Sequence, residues 1–359
     1  MPTPNAPPEQ AIARFRADLL KCGCAVDQAY GICVSGGADS LALLMLAKAA
    51  ALNIKAATVD HGLRPESTSE AQHVAAICAR LGVAHETIAL NPFQNSVRTE
   101  PVEVLPFSVT AKKGQGFDKL SPNGGEGKGG KPLVTSRRGN LSDWTRTARY
   151  AALRDWAARE HIDLLMTAHH ADDQLETMLM RLNRGSGVAG LAGVRARQAD
   201  LCRPLLGWRK AELVGVVNAC GIAAVDDPTN YDEAYDRARL RKYLAKIDWL
   251  NPEAATISAA ALADANDALD WVVQGLLNEH LSHQGTTLIL TLPPIPRELV
   301  RRVVTACILK LNPVAKPRGD AVDRLLATLQ HGRIATLAGV KCSGGARWRF
   351  TLAAPRRTK

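Results

Sequence analysis

Residues 30–46 read YGICVSGGADSLALLML, and the fold is read outward from them. An apolar, β-prone run, Tyr30 to Val34, enters the turn Ser35-Gly36-Gly37-Ala38-Asp39-Ser40. An apolar helical pattern, Leu41 to Ala51, leaves it. Strand, glycine turn and helix in that order make a phosphate cradle. Paired glycines let the backbone take unusual φ values and approach an anion closely. The new helix offers free N–H groups and the positive end of its dipole. Ser35 and Ser40 add hydroxyl donors. No lysine closes the turn, so it is not the nucleotide loop that ends in Lys-Ser/Thr, and its spacing is not G-x-G-x-x-G.

The rhythm around this stretch predicts a doubly wound parallel α/β sheet. Ala11 to Leu20 reads as a short amphipathic helix. Ile54 to Val59 reads as a second strand, Thr68 to Leu81 as its helix and Ala84 to Leu90 as a third strand. Strands alternating with helices over short turns give parallel pairing. From about 91 to 139 the periodicity fails. The run KKGQGFDKLSPNGGEGKGGK buries too little apolar surface to order itself and reads as a flexible insertion. Order returns with a helix over Ser142 to Glu160, a strand over Asp163 to Ala168 and a helix over Ala171 to Leu182. A strand near Leu201 to Pro204, a helix over Arg209 to Cys220 and a turn at Asp226 to Asn230 complete the first domain, taken as 1–232. Tyr235 to Ile247 reads as a charged connector helix within 233–250. The remainder, 251–359, reads as a mostly helical domain with a small β element: a strand at Thr286 to Leu292 and a hairpin of RIATLAGV with ARWRFTLA turning over Lys341 to Gly345.

A chain of 359 residues with 46% hydrophobic content can bury two or three cores. It has no apolar run long enough to span a bilayer and its first ten residues lack a basic-then-apolar pattern, so a cytoplasmic protein without a membrane partner is expected. The eight cysteines form no C-x-x-C pair and sit mostly in apolar runs, as reduced, buried thiols do. A net charge of +10 favours a polyanionic partner, nucleic acid above all, while 4% aromatics argue against a surface built on base stacking.

In an open parallel sheet, ligands bind at the carboxyl ends of the strands. Four segments fall there: Ser35 to Ser40, Asp60 to Arg64, His169 to Glu176 and Asp226 to Asn230. The third is the densest in polar groups. Asp172 and Asp173 in a first helical turn suit the dipole and serve as caps. Asp173 and Glu176, three apart, share a helix face that suits an amine cation or hydrated Mg²⁺. A transition metal on His169, His170 and Asp172 and plain helix capping are the competing readings. Arg237, Arg239, Arg241 and Lys242 suit phosphate or a solvated basic face.

Taken together the motifs resemble those of the tRNA(Ile)-lysidine synthetases, a branch of the ATP pyrophosphatases. The matching pieces are SGGADS, VDHGLRPES, NLSDWTRTARYAAL, TAHHADDQLETMLMRLNRGSGVAGLAGV, RPLL and DDPTNYDEAYDRARLR, in that family's order. The resemblance implies that ATP adenylates C2–O of the wobble cytidine of isoleucine tRNA with anticodon CAU. The ε-amine of free L-lysine then displaces AMP. It implies Ser35, Gly36, Gly37, Ala38, Asp39 and Ser40 around pyrophosphate, with Asp39 on Mg²⁺, and His61 and Arg64 near the nucleotide. It implies Arg146 and Arg149 toward ATP or RNA phosphate, and Asp172, Asp173 and Glu176 for binding and deprotonating lysine. Arg237 and Arg241 would stabilise phosphate charge. The family usually has Gly before the paired histidines, where this chain has Ala168, and Asn after the arginine matching Arg237, where it has Ala238. Three rivals remain: a tRNA thiolase of the same fold, a small-molecule ATP pyrophosphatase and a non-catalytic tRNA-binding protein. The oligomeric state is left open, a homodimer included.

Overall fold

The computed structural model describes residues 4–25, 27–62, 66–90, 137–226 and 236–354. They fall into two compact units: Met1–Asp173 with Ala196–Asp248, and Gln174–Arg195 with Trp249–Lys359.

In the first unit, α1 (Glu9–Lys21) precedes β1 (Ala29–Cys33), α2 (Ala38–Ala49), β2 (Asn53–Asp60), α3 (Ser67–Arg80) and β3 (His85–Ala89). After α4 (Arg137–Arg159) come β4 (Leu164–Met166) and α5 (Ala171–Leu182). The short α6 (Val188–Leu191) follows, then β5 (Arg197–Gln198), β6 (Leu201–Cys202), α7 (Lys210–Ala219) and α8 (Asp236–Leu244). The sheet order is β3-β2-β1-β4-β6-β5. All neighbours are parallel except the edge strand β5, which pairs antiparallel with β6. The chain winds outward from β1 to β3, then returns to the other side of β1 as β4. That reversal opens a crevice at the carboxyl ends of β1 and β4.

Alternation along β1 sends side chains to two cores. Ile32 joins α1, α2, α3 and α7 on one face, while Cys33 packs with α4 residues Leu153 and Trp156 on the other. The helix α2 is apolar nearly all round, and Leu41 to Ala47 are all buried, as a central helix requires. Gly31 has a packing reason: a Cβ there would lie 2.7 Å from Trp156 and 2.8 Å from Leu165. Seven of the eight cysteines are buried and Cys33 is partly so. Cys24 and Cys202, far apart in sequence, bring their sulfurs within 3.2 Å.

In the second unit, α9 (Pro252–His280) is capped by Asn251, whose Oδ1 accepts from the amides of Glu253 and Ala254. It leads into β7 (Leu281–Gln284), β8 (Thr287–Leu290), α10 (Arg297–Leu311) and α11 (Gly319–Gln330). Then come β9 (Ile334–Leu337), β10 (Val340–Ser343) and β11 (Trp348–Leu352). The strands form one antiparallel sheet, β7-β8-β11-β10-β9, over a core of Val303, Val304, Leu325 and Phe350.

Several sequence expectations are corrected in detail. Lys341 to Ser343 is not a turn but most of β10, so the expected single hairpin is three strands. Leu281 to Gln284, given no element in the sequence reading, is β7, paired with β8. The α4 helix begins at Arg137, before the expected Ser142. The insertion expected over 91–139 lies outside the described residues up to 136. So do Arg64, most of the turn Asp226 to Asn230 and Tyr235. No helix among the described residues is long and apolar enough to cross a membrane.

Candidate active site

The glycine turn connects β1 to α2 at the crevice. Gly36 has φ +88°, in the region that favours glycine. A side chain there would also press on Val225 and Val74 at 3.3 Å. The Ser40 hydroxyl is buried and braces the turn. It accepts from the Ser35 amide at 3.1 Å and donates to the Gly37 carbonyl at 2.9 Å. No side chain caps α2, whose first amides therefore have no capping acceptor. Ser35, Asp39 and Ser40 line a cavity of about 690 Å³.

The opposite lining comes from the end of β4 and the start of α5: Thr167, Ala168, His169 and Asp173. Between the two walls lies His170, almost fully buried. Its Nε2 is 3.6 Å from Asp39 Oδ2 and 3.5 Å from Asp173 Oδ2, and its Nδ1 is 3.5 Å from Asp172 Oδ2. Burial opposes a charge on this ring, but the carboxylates of Asp172, Asp39 and Asp173 prevail and push its pKa up to about 9. The carboxylates thus favour a proton on this ring, while the Asp173 amide also donates toward its Nδ1 at 3.4 Å. Asp39 gains the reciprocal benefit. Burial works against its charge, yet His170 and Lys210, whose Nζ is 3.5 Å away, hold it below the usual carboxylate range. Asp39 Oδ1 is buried and meets no hydrogen-bond donor among the described residues.

The three acidic residues of α5 do not share one environment. Asp172 accepts from the Lys210 amide at 2.8 Å and from Arg209 at 3.4 Å and is not part of the cavity lining. Burial raises its pKa, but His170, the Lys210 amide and Arg209 outweigh it and depress it strongly. Asp173 lines the cavity with Arg241 3.2 Å and Arg237 3.9 Å from its Oδ1. Glu176 is buried one turn further along α5, in the part of the helix that groups with the second unit.

The remaining lining is mixed: Asp60 and Glu70 are acidic, Val34, Ala57, Val59 and Leu153 are apolar, and a basic and aromatic group completes it. Arg149 and the buried Tyr150 come from α4, and His61 follows β2. The guanidiniums of Arg146 and Arg149 each lie 5.5 Å from the Tyr150 ring centre, within cation–π range. Burial and the charge of Arg149 lower the pKa of His61, and its buried Nδ1 meets no partner among the described residues. Burial likewise drives His169 down to about 4, Asp173 opposing and Arg203, Arg146 and Arg237 assisting. Its Nδ1 lies 3.0 Å from the Thr167 hydroxyl. His169 and His170 thus face different partners, which disfavours a shared transition metal.

A tRNA(Ile)-lysidine synthase of Novosphingobium aromaticivorans is 40% identical to this chain, the match covering 97% of this chain and 95% of that relative. This chain belongs to the tRNA(Ile)-lysidine synthases. A lysidine synthase of Zymomonas mobilis is 34% identical over 91% of this chain and 89% of its own length. The PP-loop domain model matches residues 8–103 and 129–247, passing over 104–128. A U34-tRNA thiolase of Methanococcus maripaludis, solved with a 4Fe–4S cluster, superposes with a TM-score of 0.50 at 16% identity. The overlap covers 71% of this chain and 78% of that one, a likeness of fold alone. Within the lysidine synthase family pattern, the departure at Ala238 is a buried methyl on α8. Sequence reasoning left one residue of this site unassigned and gave another a different role. Lys210 opens α7 at the carboxyl end of β6, a place the switch-point rule would have flagged. His170 was weighed only as a transition-metal ligand with His169 and Asp172; nothing local announces that Asp39 stands beside it.

Proposed function

We propose that this crevice carries out both half-reactions of lysidine synthesis on the isoleucine tRNA with anticodon CAU. One observation carries the reading: Asp39 of the glycine turn and Asp173 of the acidic helix start line the same cavity, joined through His170. The uncapped α2 amides and Ser35 take the pyrophosphate portion of ATP. Asp39 would hold Mg²⁺. Among the described residues its buried Oδ1 has no donor, and no group of three His, Cys, Asp or Glu side chains suits a metal. The ion would therefore take most of its oxygens from ATP and water, as Mg²⁺ does, and would neutralise phosphate charge.

In the first step the C2 carbonyl oxygen of the cytidine attacks the α-phosphorus, and pyrophosphate leaves. A carbonyl oxygen is a poor leaving group until it is adenylated. In the second, the lysine ε-amine attacks C2 and AMP departs with that oxygen. The amine must be neutral to attack, so a carboxylate has to bind the ammonium and take its proton. Asp173 and Glu176 fill that role. Arg237 and Arg241 rest on Asp173 here. Our reading is that they move to phosphate when ATP arrives, which frees Asp173 for the amine and stabilises the charge of adenylation. Asp172 positions His170 and α7. Arg146, Arg149 and Tyr150 accept nucleotide or RNA phosphate, and the domain 251–359 takes the body of the tRNA.

The test is incubation of the tRNA with enzyme, ATP and labelled lysine. The wobble nucleoside is expected to gain lysine less one water, and Asp39→Ala is expected to abolish pyrophosphate release. Turnover with lysine omitted, or normal release by Asp39→Ala, would sink the reading.

A further inference from the structure

The second unit is electrically divided. Its long helix α9 carries Glu253, Asp264, Asp267, Asp270 and Glu279 and has no lysine or arginine. The arginines of α10 and α11 are matched by carboxylates. Arg297 meets Asp323 at 2.8 Å, Arg301 meets Glu298 at 3.4 Å, Arg302 meets Asp270 at 2.7 Å and Arg324 meets Asp320 at 3.1 Å. Apart from the exposed Lys310 at the end of α10, these helices therefore present matched charge.

The sheet differs. From β7 to β11 no strand contains an acidic residue. Lys341 on β10 and Arg349 on β11 are exposed, while the flanking Val340, Cys342 and Phe350 are buried against the core. Lys341 is opposite Thr351 and Ser343 is opposite Arg349, which sets the two cations diagonally on the outer face. The β10–β11 turn, Ser343 to Arg347, encloses a concavity of about 550 Å³ with Arg349. The Gly344 amide donates to the Arg333 carbonyl at 2.9 Å, which fixes exposed Arg333 beside that turn. None of Arg333, Lys341, Arg347 and Arg349 pairs with a carboxylate among the described residues. Repulsion among four unmatched cations is relieved when a polyanion displaces their counterions.

We infer that the outer face of this sheet and its glycine turn, not the helices, are where the second unit grips the tRNA backbone. The inference rests on the lysidine-synthase reading and adds the surface that reading lacks. Exposed cations of this kind contact phosphates, so they set affinity and register rather than sequence choice.

The test uses the full chain and a labelled isoleucine tRNA with anticodon CAU, with binding measured over a range of salt. The double variant Lys341→Glu/Arg349→Glu is expected to weaken binding at least tenfold and to flatten the dependence of log K on log salt by one to two charges. Arg347→Ala, in the turn, should weaken it severalfold. Arg297→Ala, whose charge Asp323 already matches, should stay within twofold of wild type. All three should bind ATP as the wild type does, which reports an intact fold. A sheet variant with wild-type affinity and salt slope would overturn the inference, as would Arg297→Ala weakening binding as much as the double variant. Failure of the wild-type chain to bind the tRNA at all would overturn the underlying reading as well.

Discussion

The acidic wall of the site is balanced from several sides: Lys210 meets Asp39, Arg209 meets Asp172, and Arg237 and Arg241 meet Asp173. The buried imidazole of His170 stands within 3.6 Å of all three carboxylates. Its neighbour His169 is the opposite case: burial keeps it neutral, with a pKa near 4. The sign follows from linkage. The unfolded chain protonates this histidine near its ordinary value of about 6.5, the folded chain only near 4, so stability falls as pH drops through that window. Because the ring keeps some solvent contact, the loss is about 2 kcal/mol rather than the full amount the shift implies. His169→Gln should therefore flatten the decline between pH 7 and pH 5 in urea unfolding. An unchanged slope would mean the ring is solvated. Of the residues singled out in the sequence, Asp39, Asp173, His61 and Arg149 line one cavity. Their partnerships were not legible there. Asp172 turns toward Arg209 and Lys210 because the start of α7 offers an amide and a guanidinium there, and only the folded chain brings these together.

Elements were readable wherever local pattern decides them. The strand β1 and helix α2 follow from an apolar run, a glycine turn and a second apolar run, and the parallel order follows from alternation. The second unit's sheet was only half visible. LSHQ is a short, mostly exposed strand whose identity comes from its antiparallel neighbour. VKCS alternates but over four residues only, too few to stand out from a turn. Gly31 shows the limit from the other direction. Its sequence context, YGIC, reads as any strand interior, where glycine is unfavourable. The reason for it is Trp156, which would lie 2.7 Å from any Cβ at that position. Gly31→Ala is therefore expected to destabilise the first unit by about 1–3 kcal/mol through overpacking, despite the better strand propensity of alanine. Thermal unfolding checks the sign. Because position 31 lies on the α4 face of β1 and outside the cavity lining, ATP affinity of the folded fraction should be unchanged. A stabilised variant would mean Trp156 is free to move.

The division of the whole chain is less simple than the boundary near residue 250 suggests. Gln174–Arg195, embedded in the sequence of the first unit, groups with the second. It is held as a small structure of its own. Gln174 exchanges hydrogen bonds with both the carbonyl and the amide of Val194, at 3.1 and 2.7 Å, and Arg181 donates to the Gly190 and Gly193 carbonyls. Packing of α6 on α9 and the ion pair of Arg195 with Asp267 at 2.9 Å then fasten it to the C-terminal helix. The consequence is that α5 begins in one unit, with Asp173, and continues in the other, with Glu176. A chain ended after Asp248 keeps both cores that flank the parallel sheet. It should fold and still bind ATP through the Ser35–Ser40 turn. Without α9, however, the α5–α6 segment loses its packing surface. Amides of Gln174–Arg195 should then exchange at least tenfold faster than in the full chain while those of β1 and α2 stay protected, and transfer of lysine should vanish. Equal protection of that segment in the two chains would show instead that the first unit holds it unaided. In that case the second unit would matter for tRNA affinity alone, and saturating tRNA should restore turnover to the shortened chain.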